Sequence, residues 1–282
     1  MLEKNTFTFL GFDNSYEESS LVIFGAPFDG TASYRAGSRF APSAMRAASF
    51  SIETYSPYLD RDLEDVRVFD GGDIEFPFGN TEKVLSMIEE FSDKILSDEK
   101  LPLMIGGEHL VTLGAVRSMV KKYPDLCILH FDAHTDLRDD YLGEKLSHGT
   151  VMRRCHELVG NNRIFQFGIR SGERDEFLWA KKHTRLCKFG FSALSEGVRE
   201  IGKRPVYLSI DLDVLDPSEM PGTGTPEAGG VSFLQVLDAL GEVRGLNIVG
   251  ADINELSPEH DTSGISTSLA CKLLRELVLN IC

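Results

Sequence analysis

Two histidines and four aspartates lie within eleven residues in the segment HFDAHTDLRDD, residues 130–140. Side chains alternate in direction along an extended chain, so Asp132, His134 and Asp136 can all point the same way. Carboxylate oxygens and imidazole nitrogens are common metal ligands in proteins. The spacing of this segment therefore predicts a metal site.

Two further segments carry the same residue types. His109 ends the sequence GGEH, and Asp211 and Asp213 repeat the alternating spacing in SIDLD. The four aspartates of the combined set carry a charge of about −4, which two divalent cations would neutralise in a buried pocket. Oxygen-rich ligation with some imidazole and no thiolate favours Mn²⁺ over structural zinc. We therefore predict two manganese ions held by six residues: His109, Asp132, His134, Asp136, Asp211 and Asp213.

The elements that must position these residues form a repeating strand–loop–helix pattern. Apolar runs that end near Gly or Asp predict strands at 21–24, 101–105, 126–131, 164–167, 206–210 and 247–251. Helical spacing predicts helices at 81–97, capped by Thr81, and at 232–243 and 267–279. Nearly continuous apolar strands suit a parallel sheet that is buried on both faces. We expect one α/β domain over residues 1–282, a three-layer αβα sandwich with a mostly parallel central sheet.

This fold gives the candidate ligands a common location. Ligands of open parallel sheets bind beyond the carboxyl ends of the strands, and the candidate residues follow predicted strands directly. The DGGD segment at 70–73 is predicted to be only a turn. The glycine-rich segment GTGTPEAGG at 222–230 lacks the ending of a phosphate-binding loop, so it predicts an irregular active-site loop without ATP or NAD. His156, His183 and His260 have no such neighbours in sequence and are interpreted as ordinary histidines.

Composition excludes several classes of protein. A formal net charge of −15 opposes binding to nucleic acid and is compatible with a cationic substrate, although solubility alone also explains it. No apolar stretch is long enough for a membrane helix, and the first residues lack the plan of a signal peptide, so we expect a soluble cytoplasmic protein. The five cysteines are scattered and form no CxxC pair, which indicates neither a disulfide framework nor a zinc site.

Several motifs resemble those of the ureohydrolase family of arginases and agmatinases. They are GAPFDGTASYRAGSRFAPSAMR at 25–46, GGEH at 106–109, FDAHTD at 131–136, SHGT at 147–150 and SIDLDVLDPSEMPGTGTPEAGG at 209–230. The finer resemblance is to bacterial and archaeal agmatinases, which convert agmatine and water into putrescine and urea. The resemblance implies an αβα fold, a binuclear manganese site and assembly as a homo-oligomer, either a trimer or a hexamer. Glu108 departs from the Asp of many members, but need not contact metal.

The resemblance also implies roles for individual residues. Asp132 and Asp211 would bridge the two ions, with His109 and Asp136 on one side and His134 and Asp213 on the other. A metal-bridging hydroxide would attack the guanidinium carbon. Three more roles are implied: Asp136 would carry a proton to the departing amine, His148 would assist proton transfer, and Glu255 would bind the guanidinium, while Asp252 supports the site.

The choice of substrate depends on the segment 137–150, which follows the central motif. Asp139, Asp140 and Glu144 predict an acidic rim that disfavours a carboxylate and accepts an amine, so agmatine is the expected substrate. Two alternatives stay open. One is an arginase or a guanidinobutyrase, and the other, of a different class, is a metal-binding regulatory protein that has lost catalysis.

Overall fold

The computed structural model of the protein describes residues 7–12 and 14–282. Its strands are β1 (Leu21–Ala26), β2 (Tyr55–Ser56), β3 (Arg61–Asp62), β4 (Val68–Asp73), β5 (Leu101–Gly106), β6 (Cys127–Phe131), β7 (Ile164–Ile169), β8 (Arg185–Lys188), β9 (Pro205–Asp211) and β10 (Asn247–Asn254). Its α-helices are α1 (Ala41–Ser49), α2 (Thr81–Ser97), α3 (Val111–Lys122), α4 (Val151–Val159), α5 (Arg174–His183), α6 (Leu194–Ile201), α7 (Phe233–Val243) and α8 (Ile265–Ile281). Within the described residues, no helix is both long and apolar enough to cross a membrane.

The central sheet has the strand order β4-β1-β5-β10-β9-β6-β7-β8, and every neighbouring pair is parallel. Strands β2 and β3 form a separate short antiparallel pair. The strands β5, β10, β9 and β6 lie side by side in the middle of the sheet. Their carboxyl ends therefore open onto one crevice, although they come from distant parts of the chain.

Helices cover both faces of the sheet. Leu21 and Ile23 of β1 pack into a core with α1, α6, α7 and α8. Val22 and Phe24 point to the opposite face and pack into a core with α2, α3, α4 and α5. This alternation buries both faces of the strands and confirms the predicted three-layer αβα sandwich with a parallel central sheet.

Two local predictions were wrong. The DGGD segment is not a turn but part of the edge strand β4, where the buried guanidinium of Arg46 pairs with Asp70 at 2.8 Å and also contacts Asp73. This cation compensates the two carboxylates and lets an acidic segment join the sheet. The predicted bounds of α2 are confirmed, but its cap is Asn80, whose side chain accepts a hydrogen bond from the backbone N–H of Lys83.

Candidate metal centre

The six predicted ligands meet at the carboxyl ends of three central strands. His109 lies three residues after β5, Asp132 follows β6 directly, and Asp211 is the last residue of β9. The short segments beyond β6 and β9 add His134, Asp136 and Asp213. All six side chains are buried or half-buried, so a parallel sheet gathers them where water is scarce.

One group of ligands surrounds the imidazole of His109. Its Nδ1 lies 3.1 Å from Asp132 Oδ2, 3.3 Å from Asp136 Oδ2 and 3.2 Å from Asp211 Oδ2. Nδ1 is buried and has no hydrogen-bond partner. A buried polar atom without a partner is costly unless something else satisfies it. A cation between Nδ1 and the three carboxylates would do so, and the donor types fit a divalent metal ion.

The tautomer of His109 supports this interpretation. Its Nε2 lies 2.9 Å from Ser209 Oγ, and that hydroxyl donates its own proton to Asp252 Oδ1 at 2.6 Å. Ser209 can therefore only accept from the ring, which puts the proton of a neutral imidazole on Nε2. Nδ1 then faces the carboxylates, where either a bound cation or, without one, a proton favoured by the raised pKa of the ring can satisfy it. Asp252 thus lies behind the cluster and contacts it through Ser209.

A second group shares Asp132 with the first. His134 Nδ1 lies 2.9 Å from Asp213 Oδ2 and 3.5 Å from Asp132 Oδ1. Asp132 therefore presents one oxygen to each histidine, and these groups could hold two ions. Asp211 uses its Oδ1 to accept from the backbone N–H of Asp213 at 2.8 Å, which fixes the carboxylate toward the cluster.

The electrostatics of the cluster favour cations. Burial opposes protonation of His109, but its three carboxylate neighbours outweigh burial and raise its pKa well above the ordinary value. Burial and neighbouring carboxylates, with Asp213 first, raise the pKa of Asp211. Burial likewise raises the pKa of Asp213, and Asp132 adds to this effect. Concentrated negative charge of this kind is relieved when divalent cations bind.

The alternation predicted around Asp132 ends in a turn. Thr135 points away from the cluster, and its hydroxyl donates to the buried carboxylate of Glu176. Asp136 has a φ of 52°, in the left-handed region, so the chain turns there instead of continuing as a strand. Asp136 still faces His109, and its strained backbone is held by the N–H of Arg153, which donates to its carbonyl at 3.1 Å.

A cavity of about 290 Å³ opens above the cluster. His148 lies on its wall, where Ser33 Oγ is 3.1 Å from Nε2 and burial lowers the pKa of the ring. Glu255 lies on the same wall and accepts from the backbone N–H of His109 through Oε1 at 2.8 Å. Burial raises the pKa of Glu255 to about 8. His148 and Glu255, two of the three predicted catalytic residues, therefore share a cavity with the candidate ligands, and the third, Asp136, is itself one of those ligands.

The glycine-rich segment 222–230 completes this wall, in agreement with its prediction as an active-site loop. Thr225 lines the cavity, and its Oγ1 lies 3.3 Å from Asp213 Oδ2. A Cβ on Gly224 would lie 3.3 Å from Glu255 Oε2. Glycine at this position leaves the second oxygen of Glu255 room to face the cavity.

The acidic rim differs from the prediction. Asp139 does not line the cavity but pairs with Arg154 at 3.0 Å, and Asp140 accepts from the backbone N–H of Gly143. Glu144 also lies outside the cavity wall. Besides Glu255 and the candidate ligands Asp136 and Asp211, the acids that line it are Glu173 and Glu176, which follow β7 at the neighbouring edge.

The model of the arginase family matches residues 19–280, nearly the whole chain. The chain belongs to the arginase family. This arginase-family chain is 50% identical over 269 residues to the agmatinase of Bacillus cereus, covering 94% of this chain and 93% of that protein. It is 36% identical over 270 residues to the guanidinobutyrase of Pseudomonas aeruginosa, covering 91% of this chain and 85% of that protein. The solved structure of the agmatine ureohydrolase of Thermoplasma volcanium has a TM-score of 0.89 at 36% identity, covering 98% and 94% of the two chains. The family predicted from the motifs is confirmed.

Sequence reasoning missed a supporting histidine in this arginase-family site. Gln166 Nε2 donates to His130 Nδ1 at 3.1 Å and to the carbonyl of Thr135 at 2.8 Å. The proton of a neutral His130 ring therefore lies on Nε2, which donates to Asp132 Oδ2 at 2.9 Å. His130 is close enough to be grouped with the ligands, but this bond makes it a residue that orients Asp132. Its position two residues before Asp132 was the available signal.

Arg170, just after β7, was also missed. Its guanidinium donates to the carbonyl oxygens of Asp213 at 2.7 Å and Glu227 at 2.8 Å, among others. It thereby joins the segment after β9 to the loop 222–230. In this arginase-family chain, a single cation holds two walls of the cavity together, a role that no local pattern indicates.

Proposed function

We propose that the chain is an agmatinase that hydrolyses agmatine to putrescine and urea with two Mn²⁺ ions. The main support for this proposal is His109 Nδ1, which is buried and has no hydrogen-bond partner. It faces three carboxylates at the cavity that Glu255 also lines. The 50% identity to an agmatinase over nearly the full length supports the substrate.

The ligands are assigned as the family resemblance implies. His109, Asp132, Asp136 and Asp211 would hold one ion, and Asp132, His134, Asp211 and Asp213 the other. Because Asp132 directs Oδ2 toward His109 and Oδ1 toward His134, it can serve both ions. When bound, the two ions would lower the pKa of a water molecule toward neutrality, which a poor electrophile such as a guanidinium requires.

The remaining chemistry is assigned to three side chains on the cavity wall. Glu255 has one oxygen fixed by the N–H of His109 and a second oxygen free to accept from the guanidinium, so it would orient the substrate carbon. Asp136 would carry a proton to the departing amine. His148, which burial keeps neutral, would accept or return a proton at the same wall.

The far end of the substrate would lie near Glu173 and Arg138. Glu173 Oε1 is 3.3 Å from Arg138 Nη1, and Glu176 Oε1 is 3.5 Å from Arg138 Nε, so the two acids offset this cation. The resulting wall tolerates the ammonium of agmatine. Arg138 nevertheless supports a second candidate, a guanidine that carries a carboxylate, and a guanidinobutyrase is among the relatives.

An assay of urea release distinguishes these functions. Agmatine, arginine, guanidinobutyrate and guanidine would each be supplied to the chelated protein before and after addition of Mn²⁺. We expect urea from agmatine only after Mn²⁺ is restored. Faster release from arginine or guanidinobutyrate would replace the substrate assignment. No release from any of the four would favour a metal-binding regulatory protein, which the presence of His148 and Glu255 in the cavity argues against.

We also propose that the chain acts as one catalytic domain in a cytoplasmic homo-oligomer. Large apolar side chains such as Leu234 and Ile265 are more than half exposed, which supports burial against further copies. Light scattering coupled to size exclusion would distinguish a trimer from a hexamer.

A further inference from the structure

His156 and His183 meet at the surface between α4 and α5, outside the six-ligand cluster. His156 Nε2 lies 2.9 Å from Asn161 Oδ1, and His183 Nδ1 lies 2.6 Å from the same oxygen. The ring centroids are 5.4 Å apart. The two ring nitrogens thus converge on one point from two different helices.

We propose that this pair is a binding site for a divalent transition metal ion of the kind that prefers imidazole, such as Ni²⁺, Cu²⁺ or Zn²⁺. His156 Nε2 and His183 Nδ1 would be the ligands, and Asn161 Oδ1 would supply a third donor. Imidazole nitrogens bind such ions at about 2.0 to 2.1 Å. Each nitrogen carries its ring proton while it donates to Asn161 Oδ1, so ion binding requires that proton to move to the opposite ring nitrogen, together with small ring movements.

The backbone around the pair is held in place before any ion binds. The N–H of Gly160 donates to the carbonyl of His156 at 2.8 Å, and the N–H of Asn162 donates to the carbonyl of His183 at 2.8 Å. Each histidine is therefore tied through its own carbonyl to the loop that carries Asn161. Binding loses less conformational entropy when the ligands are ordered in advance.

Aromatic packing also fixes both rings. Trp179 stacks on His183 with centroids 4.2 Å apart, and its edge contacts His156 at 4.6 Å. The guanidinium of Arg153 also lies over the Trp179 ring, with its Cζ 4.2 Å from the ring centroid. Desolvation first, and then cationic neighbours on both helices, lower the pKa of His183. The neutral ring, which is the form that binds metal, is therefore favoured near neutral pH.

The histidine pair should prefer different metal ions from those that the carboxylate cluster prefers. Nitrogen ligation follows the general order of affinity in which Mn²⁺ is weakest and Ni²⁺, Cu²⁺ and Zn²⁺ are stronger. Mn²⁺ at the cluster should therefore not occupy the pair. An ion at the pair would connect α4 to α5, and these helices begin close to His148 and Glu173 on the cavity wall.

Trp179 is the single tryptophan of the chain, so its fluorescence reports on this position alone. The Mn²⁺-loaded protein would be titrated with NiCl₂, because paramagnetic Ni²⁺ quenches nearby indole emission. We expect saturable quenching in the parent protein. His156→Gln and His183→Gln should each lose the saturable phase, whereas the matched control His260→Gln, on a different loop, should keep it.

A variant that binds Ni²⁺ more tightly provides an independent check, because misfolding cannot explain a gain of affinity. Asn161→Asp replaces a neutral oxygen donor by a carboxylate, so it should lower the Ni²⁺ midpoint by at least about tenfold. Quenching that is not saturable, or that is unchanged in His183→Gln, would overturn the proposal. None of these readouts uses urea release, so they are independent of the proposed agmatinase activity.

Discussion

Ser209 Oγ lies 2.9 Å from His109 Nε2, and this one contact determines which nitrogen of His109 faces the cluster. The hydroxyl is in turn fixed by donation to Asp252, which also accepts from Tyr207 and Asn254. The orientation of a candidate metal ligand therefore depends on a polar network in the interior of the sheet. Partners of this kind raise the basicity of a ligand and fix its tautomer.

Ser209→Ala should weaken Mn²⁺ binding by about 10- to 100-fold, because His109 loses the acceptor that keeps the proton on Nε2. The affinity would be measured by titrating the chelated protein with Mn²⁺ and following bound metal. Ser218→Ala is the matched control, since Ser218 is exposed and its hydroxyl donates to Asp216, which is not a candidate ligand. Equal Mn²⁺ affinity in Ser209→Ala and the parent would show that the network does not orient the ligand.

Glu255→Gln should lower kcat/KM for agmatine by about thirty- to several-thousandfold, because a bound guanidinium favours the ionised carboxylate despite its raised pKa, and breaking such a buried charge pair costs roughly 2 to 5 kcal/mol. The amide oxygen of Gln can still accept from the N–H of His109, so the backbone contact survives. Metal content, measured by elemental analysis, should stay near that of the parent. Activity within threefold of the parent would remove Glu255 from the guanidinium site.

Asp213→Asn should differ from Glu255→Gln, because it removes a proposed metal ligand and not a substrate-binding residue. Asp213 lies 2.9 Å from His134 Nδ1 and belongs to the proposed ligand set. Its substitution should lower bound metal as well as rate. If both variants kept their metal, the division between ligands and substrate-binding residues would be wrong.

Arg138→Gln should shift substrate preference toward amines. The guanidinium of Arg138 is about a third exposed and is offset by Glu173 and Glu176, so its removal should change the ratio of agmatine to guanidinobutyrate turnover by only about five- to tenfold. Initial rates of urea release with both substrates measure this ratio. A ratio that falls instead would show that Arg138 does not face the far end of the substrate.

Asp261→Asn tests a stabilising group outside the site. Although burial opposes its ionisation, hydrogen bonds from Ser263 and Ser266 lower the pKa of Asp261 to about 2, below its usual 3.8. The ionised group stabilises the fold fully above pH of about 5, and this contribution is lost as pH falls through 2. The variant should lose about 1 to 2 kcal/mol at pH 7, a value reduced for solvent screening near the surface. Urea denaturation should find this difference smaller by about half at pH 3, and a difference independent of pH would contradict the assignment.

Much of the fold could be predicted from the sequence because its determinants are local. Apolar runs such as β1 and β5 are buried on both faces and need no partner to be recognised. Strand β4 was not predicted, because its acidic residues join the sheet only through Arg46, which is distant in sequence. A long-range ion pair leaves no local pattern.

In the candidate site, too, the features that depend on local sequence could be predicted and those that depend on long-range contacts could not. The six candidate ligands could be proposed because they lie at or just after the ends of predicted strands, and the carboxyl ends of parallel strands meet at one edge of the sheet. The acidic wall was misassigned to Asp139 and Asp140, since sequence proximity to the ligands does not specify which side of a loop faces the cavity. Glu173 and Glu176 reach the wall from β7, the neighbour of β6, and that adjacency follows from strand order alone.

Strand β10 joins two halves of the sheet that otherwise share no strand pairing. The half made of β4, β1 and β5 comes from the amino-terminal part of the chain and carries His109, while β9 and β6 carry the other ligands. β10 is the last strand in the sequence and pairs with β5 on one side and β9 on the other. During synthesis, both sets of ligands emerge before the strand that brings them together. The candidate ligands can therefore meet only after β10 has been made, and a chain that lacked β10 would lose the cluster while keeping all six candidate ligands.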